Sequence, residues 1–253
     1  MRYLLLLILF VLPSTSAFAS KIAIIIDDIG YRQSDKAVLT LPANITLSIL
    51  PHTPLGKTLA SQAYQQGNEI LVHLPMQALN GKAIGQGGLT NTMSESEFKT
   101  QVSEAIASVP HASGANNHMG SLLTQLKQPM RWVMEALQQQ DIYFIDSRTT
   151  KFTQAGAVAQ SVGIPLLNRE IFLDNDKSRA GLERQFQQAI KLAKSKKQIV
   201  VIAHPYPETI AFLTNNLSRL DNENIQLVHA SELLPQPTVA TVASKFQLLQ
   251  NRN

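Results

Sequence analysis

The chain has 253 residues, 44% hydrophobic and 16% charged, with 22 basic against 18 acidic side chains and no cysteine. Its length suits one large domain or two small ones, and the hydrophobic content with a net charge of only +4 excludes intrinsic disorder. Zero Cys excludes a disulfide framework, an iron–sulfur cluster, a thiolate zinc site and a cysteine nucleophile, so any metal falls to the six His and the Asp and Glu residues.

Residues 1–19 have the three parts of a secretory signal peptide: a positive start at Met1-Arg2, an apolar run over 3–12, and a small-x-small cut site at Ala17-Phe18-Ala19. The apolar run is short of the ~20 residues that span a bilayer, and no cysteine follows it for a lipid anchor. Export to a bacterial periplasm is therefore expected, with cleavage after Ala19 and no stable membrane anchor afterwards. Residues 20–234 read as one domain, and residues 235–253 as a weakly ordered tail.

Short apolar runs then alternate with helical patterns. Residues 22–26, Ile-Ala-Ile-Ile-Ile, are apolar on both faces, as a parallel strand buried on both sides would be. Further strands are expected over 45–50, 70–74, 142–145, 164–167, 199–203 and 225–228, with short ones at 113–115 and 170–173. Helices are expected near 53–66, 94–108, 128–139, 182–193 and 208–220, with Ser94 and Glu97 forming a capping box and Pro129 in a first turn. The stretch 80–92 carries Gly81, Gly85, Gly87 and Gly88 without a strand–loop–helix phosphate fingerprint, and reads as a long flexible loop. About seven strands alternating with helices indicate an α/β fold with a mainly parallel sheet.

Polar residues fall where strands end: Asp27-Asp28, His73, Asn116-Asn117-His118, Asp146, Asp174 and His204. Parallel strands open their C-terminal ends on one side, so these residues should share the face where α/β enzymes build sites. Taken singly, Asp146 and Asp174 read as caps of turns or helices, and a lone His as a hydrogen-bonded core group. Asp27-Asp28 differs, because two adjacent carboxylates after a buried run repel each other and call for a cation or an arginine such as Arg148 or Arg169. Lys194, Lys196 and Lys197 are the only clustered basic residues, at a helix end that also suits cations, so nucleic-acid binding is not expected. Trp132, in a helical stretch, reads as core or helix surface.

The segments Ile24-Ile25-Ile26-Asp27-Asp28-Ile29-Gly30, His73-Leu74-Pro75-Met76-Gln77, Asn116-Asn117-His118-Met119-Gly120-Ser121, Phe144-Ile145-Asp146-Ser147-Arg148-Thr149 and Ala203-His204-Pro205 together resemble the divergent polysaccharide deacetylases, the YibQ-like proteins. The resemblance runs from about Lys21 to Leu234. It implies a distorted (β/α) barrel of about seven parallel strands, of the NodB-homology kind, and a metal-dependent hydrolase of carbohydrate N-acetyl groups or related esters. By the same resemblance Asp27 matches the catalytic base, Asp28 the metal-binding aspartate, His73 the first metal histidine and His204 the leaving-group acid. The wider superfamily places a second metal histidine four residues after the first, where this chain has Gln77. His118 is the natural replacement ligand, and the arginine that pairs with the base is missing from its usual place.

The expected chemistry is a divalent cation, Zn2+ before others, held by Asp28, His73 and His118, with Asp27 as base and His204 as acid. Asn117, Gln77, Asp146, Arg148, Arg169 and Asp174 are candidates for supporting or substrate-facing roles. The expected substrate is a polysaccharide or peptidoglycan-type glycan. The rival reading is a barrel that binds a glycan, or a protein partner, without turnover.

Overall fold

Residues 22–26 are apolar on both faces because the strand they form separates two cores. The computed structural model describes residues 20–235, so the leader expected over 1–19 and all of the tail beyond Pro235 lie outside the described residues. Strand β1 (Ser20–Ile29) turns Ala23 and Ile25 toward a cluster with Leu71, Tyr143, Ile145, Val200 and Ile202, and turns Ile22, Ile24 and Ile26 toward a second, larger cluster that includes helical residues. The first cluster is the inside of a barrel, and the second is the layer between strands and helices.

The strands β2 (Thr46–Ile49), β3 (Ile70–Met76), β4 (Ala112–Met119), β5 (Tyr143–Asp146), β6 (Leu166–Phe172) and β7 (Gln198–Ala203) follow in order, each parallel to the last, and β7 returns to β1. The ring is a closed (β/α) barrel of seven parallel strands, with helices outside. One edge of β1 pairs with β7, while its other edge is divided: Ser20–Ala23 bond β8 (Ile225–Val228), and Ile25–Ile29 bond β2. That change of partner distorts the barrel at its N-terminal end. There Glu69 is buried and accepts from Thr46 Oγ1 (3.0 Å), Ser113 Oγ (3.1 Å), Tyr143 OH (2.9 Å) and the Ser231 N–H (3.2 Å), tying the segment after β8 to β2, β4 and β5.

Helices α1 (Gly56–Gln65), α2 (Glu95–Ser108), α3 (Lys127–Gln138), α4 (Ala155–Val162), α5 (Arg179–Lys196), α6 (Pro207–Asn216) and α7 (Arg219–Asn222) complete the described fold. Ser94 and Glu97 form the expected capping box at α2, and the single tryptophan, Trp132 on α3, packs against Phe98 of α2 with ring centroids 5.5 Å apart. Among the described residues no helix is long and apolar enough to cross a membrane.

Three local expectations are corrected. The runs 164–167 and 170–173 belong to one strand, β6, whose polar centre Asn168-Arg169-Glu170 hides its continuity and carries a register shift. The stretch expected as a strand over 113–115 is the eight-residue β4. The single helix expected over 208–220 divides into α6 and α7, and α4, together with a 3-10 segment over Gln33–Thr40, was not anticipated. The glycine-rich stretch is tied at its end, where the Leu89 N–H donates to Pro75 O (2.8 Å) and the Gln77 N–H donates to Leu89 O (2.9 Å).

Candidate metal centre and catalytic face

Inward-facing residues change character along the barrel, from Ala23 and Ile25 to Asp27 in β1, from Leu71 to His73 in β3, and from Val200 and Ile202 toward His204 after β7. Period-two alternation thus carries an apolar interior up to a polar mouth. Asp28 should by that rule point the other way. Instead β1 passes three residues, from Ile26 to Ile29, against two of β2, from Leu47 to Ile49, and Asp28 takes φ +61° in this bulge. A left-handed non-glycine residue costs on the order of 1–3 kcal/mol, and here it lets neighbouring carboxylates share one site. His73 Nε2 lies 3.0 Å from Asp28 Oδ1 and 3.7 Å from Asp27 Oδ2.

His118, inward on β4, brings Nδ1 to 2.7 Å from the same Asp28 oxygen. Ligand atoms of Asp28, His73 and His118 all lie within 4.8 Å of one another. Asn116, two residues before His118 and fully buried, organises the layer beneath. Its Oδ1 accepts from His73 Nδ1–H (2.7 Å) and Ser48 Oγ–H (2.6 Å), while its Nδ2 donates to Asp27 Oδ1 (2.8 Å). Only this amide orientation gives the Asp27 carboxylate a donor, and it fixes His73 with Nδ1 protonated and Nε2 facing Asp28. Two imidazoles converging on one carboxylate oxygen, one of them with its distal nitrogen already engaged, is a donor set that suits a borderline divalent cation.

His204 faces this cluster from the end of β7, its Nε2 4.0 Å from Asp28 Oδ2. Asp174 holds it from behind: Oδ1 accepts from Nδ1–H (2.9 Å), and Oδ2 accepts from the His204 backbone N–H (2.7 Å) and from Thr209 Oγ1–H (2.9 Å).

The other candidate residues serve the frame. Asn117 bridges β4 and β5, accepting from the Ser147 N–H (2.9 Å) and donating to Met119 O (2.7 Å). Gln77 Oε1 accepts from the Asn91 N–H (2.9 Å), so it holds the glycine-rich loop and does not join the Asp28–His73–His118 cluster. Asp146 Oδ1 accepts from the Arg148 N–H (2.8 Å), the turn-capping arrangement its place after β5 suggests. Among the described residues neither Arg148 nor Arg169 hydrogen-bonds or ion-pairs with Asp27. Arg169 donates through Nε to Ser147 O (2.6 Å) and through Nη2 to Arg148 O (2.8 Å), and its guanidinium stacks 3.7 Å from the Phe172 ring centroid, behind His204. Asp27 is satisfied by Asn116 instead, a residue that sequence reasoning passed over in favour of Asn117. The period-two rule, counted back from His118, would have found it. Of the clustered lysines, Lys194 pairs with Glu223 and Lys196 with Glu170.

Electrostatics separate the two aspartates. Burial pushes the Asp27 carboxyl up, against the pull of His73, His204 and the Asn116 hydrogen bond. Burial acts on Asp28 too, but hydrogen bonds from His118 and His73 more than offset it and hold this carboxyl well below the usual range. Burial lowers His73, and Asp27 and Asp28 overcome that and raise it. Burial likewise lowers His204, yet the hydrogen bond and charge of Asp174, with Asp27 and Asp28 behind them, lift it to about 9. One carboxylate is thus set to stay ionised and the other to exchange a proton, beside an imidazole that stays charged at neutral pH.

A cavity of about 430 Å³ opens over Asp28, His118 and His204 between the Tyr31-Arg32 turn, the glycine-rich loop and Tyr206. A smaller one of about 210 Å³ reaches Asp27 and His73.

Comparison with known proteins agrees with this architecture. An uncharacterized protein of Escherichia coli (strain K12), YibQ, is 38% identical over 229 residues, covering 90% of this chain and 72% of that protein. An uncharacterized protein of Haemophilus influenzae is 40% identical over 221 residues, covering 87% of this chain and 79% of its own length. The crystal structure of an uncharacterized Agrobacterium tumefaciens C58 protein, ATU2773, superposes with a TM-score of 0.82 at 21% identity, covering 87% of this chain and 92% of that one. With the family model for divergent polysaccharide deacetylases matching residues 24–234, nearly the whole described barrel, the chain belongs to that family.

Proposed function

We propose that this chain is a metal-dependent carbohydrate deacetylase that works in the periplasm, releasing acetate from N-acetyl sugars of a cell-wall or other polysaccharide. The observation that carries the reading is the convergence of Asp28, His73 and His118 within 4.8 Å, beside the buried Asp27. These three side chains would hold the cation, with Zn2+ the best match to one carboxylate and two imidazoles. Bound there, it supplies Lewis acidity, polarising an acetyl carbonyl and making water nucleophilic near neutral pH.

The protein's own groups then handle protons. Asn116 anchors Asp27 Oδ1, leaving Oδ2 toward His73 Nε2 and the cavity. A carboxyl with raised proton affinity at that position suits the base that takes a proton from the attacking water. His204, charged at neutral pH and held by Asp174 through Nδ1, presents Nε2–H to the departing amine. The leader pattern in residues 1–19 supports the periplasmic assignment.

The test is acetate release from N-acetylated chito-oligosaccharides and peptidoglycan fragments by zinc-loaded protein. Release is expected to fall by about 10²–10⁴-fold in Asp27→Asn. Glycan binding with no acetate released by the zinc-loaded wild type would overturn the enzyme reading and leave a glycan-binding barrel.

A further inference from the structure

The larger cavity has a charged rim that the deacetylation chemistry does not use. Arg32, just past β1, and Tyr206, just past β7, both line it. Lys177 Nζ lies 4.3 Å from the Tyr206 ring centroid, so one cation lines the cavity and a second stacks on a tyrosine of its wall. Neither has an ion-pair partner among the described residues. Other surface cations do: Arg184 pairs with Asp176 (2.8 Å), Lys99 with Glu135 (2.7 Å) and Arg219 with Glu183 (2.7 Å).

Two neighbouring acidic groups are already engaged. Asp176, the residue before Lys177, is taken by Arg184 and by the Ser178 N–H. Asp35, in the cavity wall, is buried and accepts from the backbone N–H groups of Gly30 and Arg32, both at 2.9 Å. One unpaired cation, Arg32, thus lines a concave surface that also offers aromatic faces, and a second, Lys177, sits on the ring of its lining residue Tyr206. Tyr31 is 50% exposed, and its hydroxyl lies 3.5 Å from where a Cβ on Gly85 would sit, so the glycine-rich loop closes the opposite wall.

We propose that this rim selects an acidic glycan: a carboxylated sugar, bearing or adjoining the N-acetyl group, whose carboxylate is met by Arg32 and Lys177. Rings of Tyr31 and Tyr206 cover the apolar faces of the pyranoses. A guanidinium matches a carboxylate's two oxygens, and an ammonium adds charge without demanding geometry. Contacts at so open a rim are worth about a three- to tenfold difference in affinity, and that difference shrinks as salt is raised. The inference rests on the glycan reading of the cavity.

The carboxylate has two chemical sources, a lactyl ether or a uronic acid, and the test uses both. Binding of a tetrasaccharide of alternating N-acetylglucosamine and N-acetylmuramic acid, of a hyaluronan tetrasaccharide, and of the carboxyl-reduced form of each is measured by calorimetry. The protein is zinc-loaded Asp27→Asn, at low and high salt. At least one acidic oligomer is expected to bind about three- to tenfold more tightly than its reduced partner. Adding Arg32→Gln and Lys177→Gln is expected to bring that ratio to about one, and a preference confined to one acid names the sugar. Equal binding of acidic and reduced forms, a ratio unchanged by the double substitution, or no binding of any oligomer overturns the inference. If the ratio behaves as expected while wild-type protein releases no acetate, the deacetylase reading fails and the acidic-glycan inference stands.

Discussion

Asp174→Asn isolates the electrostatic device behind His204. An ordinary histidine titrates near 6.5, and burial moves this one down before Asp174, Asp27 and Asp28 lift it to about 9. The gap between those values corresponds to about 3 kcal/mol, at roughly 1.4 kcal/mol per pH unit. Because the folded-state value lies above the unfolded one, this stabilisation is fully present below about pH 6.5 and is lost as pH rises through about 9. The substitution removes the charge and also sets an amide N–H₂ where Asp174 Oδ2 accepts from the His204 N–H and Thr209 Oγ1–H. That second effect costs about 1–3 kcal/mol at every pH. The two are separated by NMR titration of the His204 ring in metal-free protein, with denaturant unfolding followed from pH 6 to 10. In Asp174→Asn the ring is expected to titrate near or below 6.5, and the wild type's loss of stability between pH 6.5 and 9 should flatten. A wild-type His204 titrating near 6.5, or parallel pH profiles for the two proteins, would refute the reasoning.

Asn116→Ala strips partners from His73 Nδ1, Asp27 and Ser48 at once, with an expected loss of about 2–4 kcal/mol by denaturant unfolding. Zinc affinity of whatever folds should fall about 10–100-fold, as for other groups that orient a metal's histidine. Glu69→Ala, at the opposite end of the barrel, is expected to cost about 2–4 kcal/mol by leaving the Tyr143 and Thr46 hydroxyl protons without their acceptor, while zinc affinity measured by calorimetry stays as in wild type. Zinc binding should release protons, detectable as buffer-dependent enthalpy in calorimetry: without the ion, His73 hydrogen-bonds Asn116 Oδ1 and Asp28 Oδ1 through its two nitrogens, which calls for a proton on each.

Much of this site is legible in the sequence alone. The run over 22–26 reads as a strand because both its faces are apolar, and the polar residues after such strands could be assigned to one end of a parallel barrel. Where strands are polar or lack β-branched residues the reading failed. Gly114-Ala115-Asn116-Asn117 conceals β4, and Arg169-Glu170 divides β6 in two, because barrel strands there serve the site and the rim rather than the core. The bulge at Asp28 has no local signature, since no glycine marks the residue that takes φ +61°. Its geometry follows from the fit of β1 against β2, a tertiary constraint. For the same reason an arginine was expected beside Asp27: the need for a donor there was readable from charge alone, but its identity as Asn116 depends on which β4 side chains point inward.

The central claim is that Asp28, His73 and His118 form one metal centre. A crystal structure of the protein soaked with Zn2+, with the ion placed by anomalous scattering, tests it most directly. The expected result is a single ion at about 2.0–2.2 Å from Asp28 Oδ1, His73 Nε2 and His118 Nδ1. An ion bound elsewhere, or none at saturating zinc with these three side chains unmoved, would contradict it.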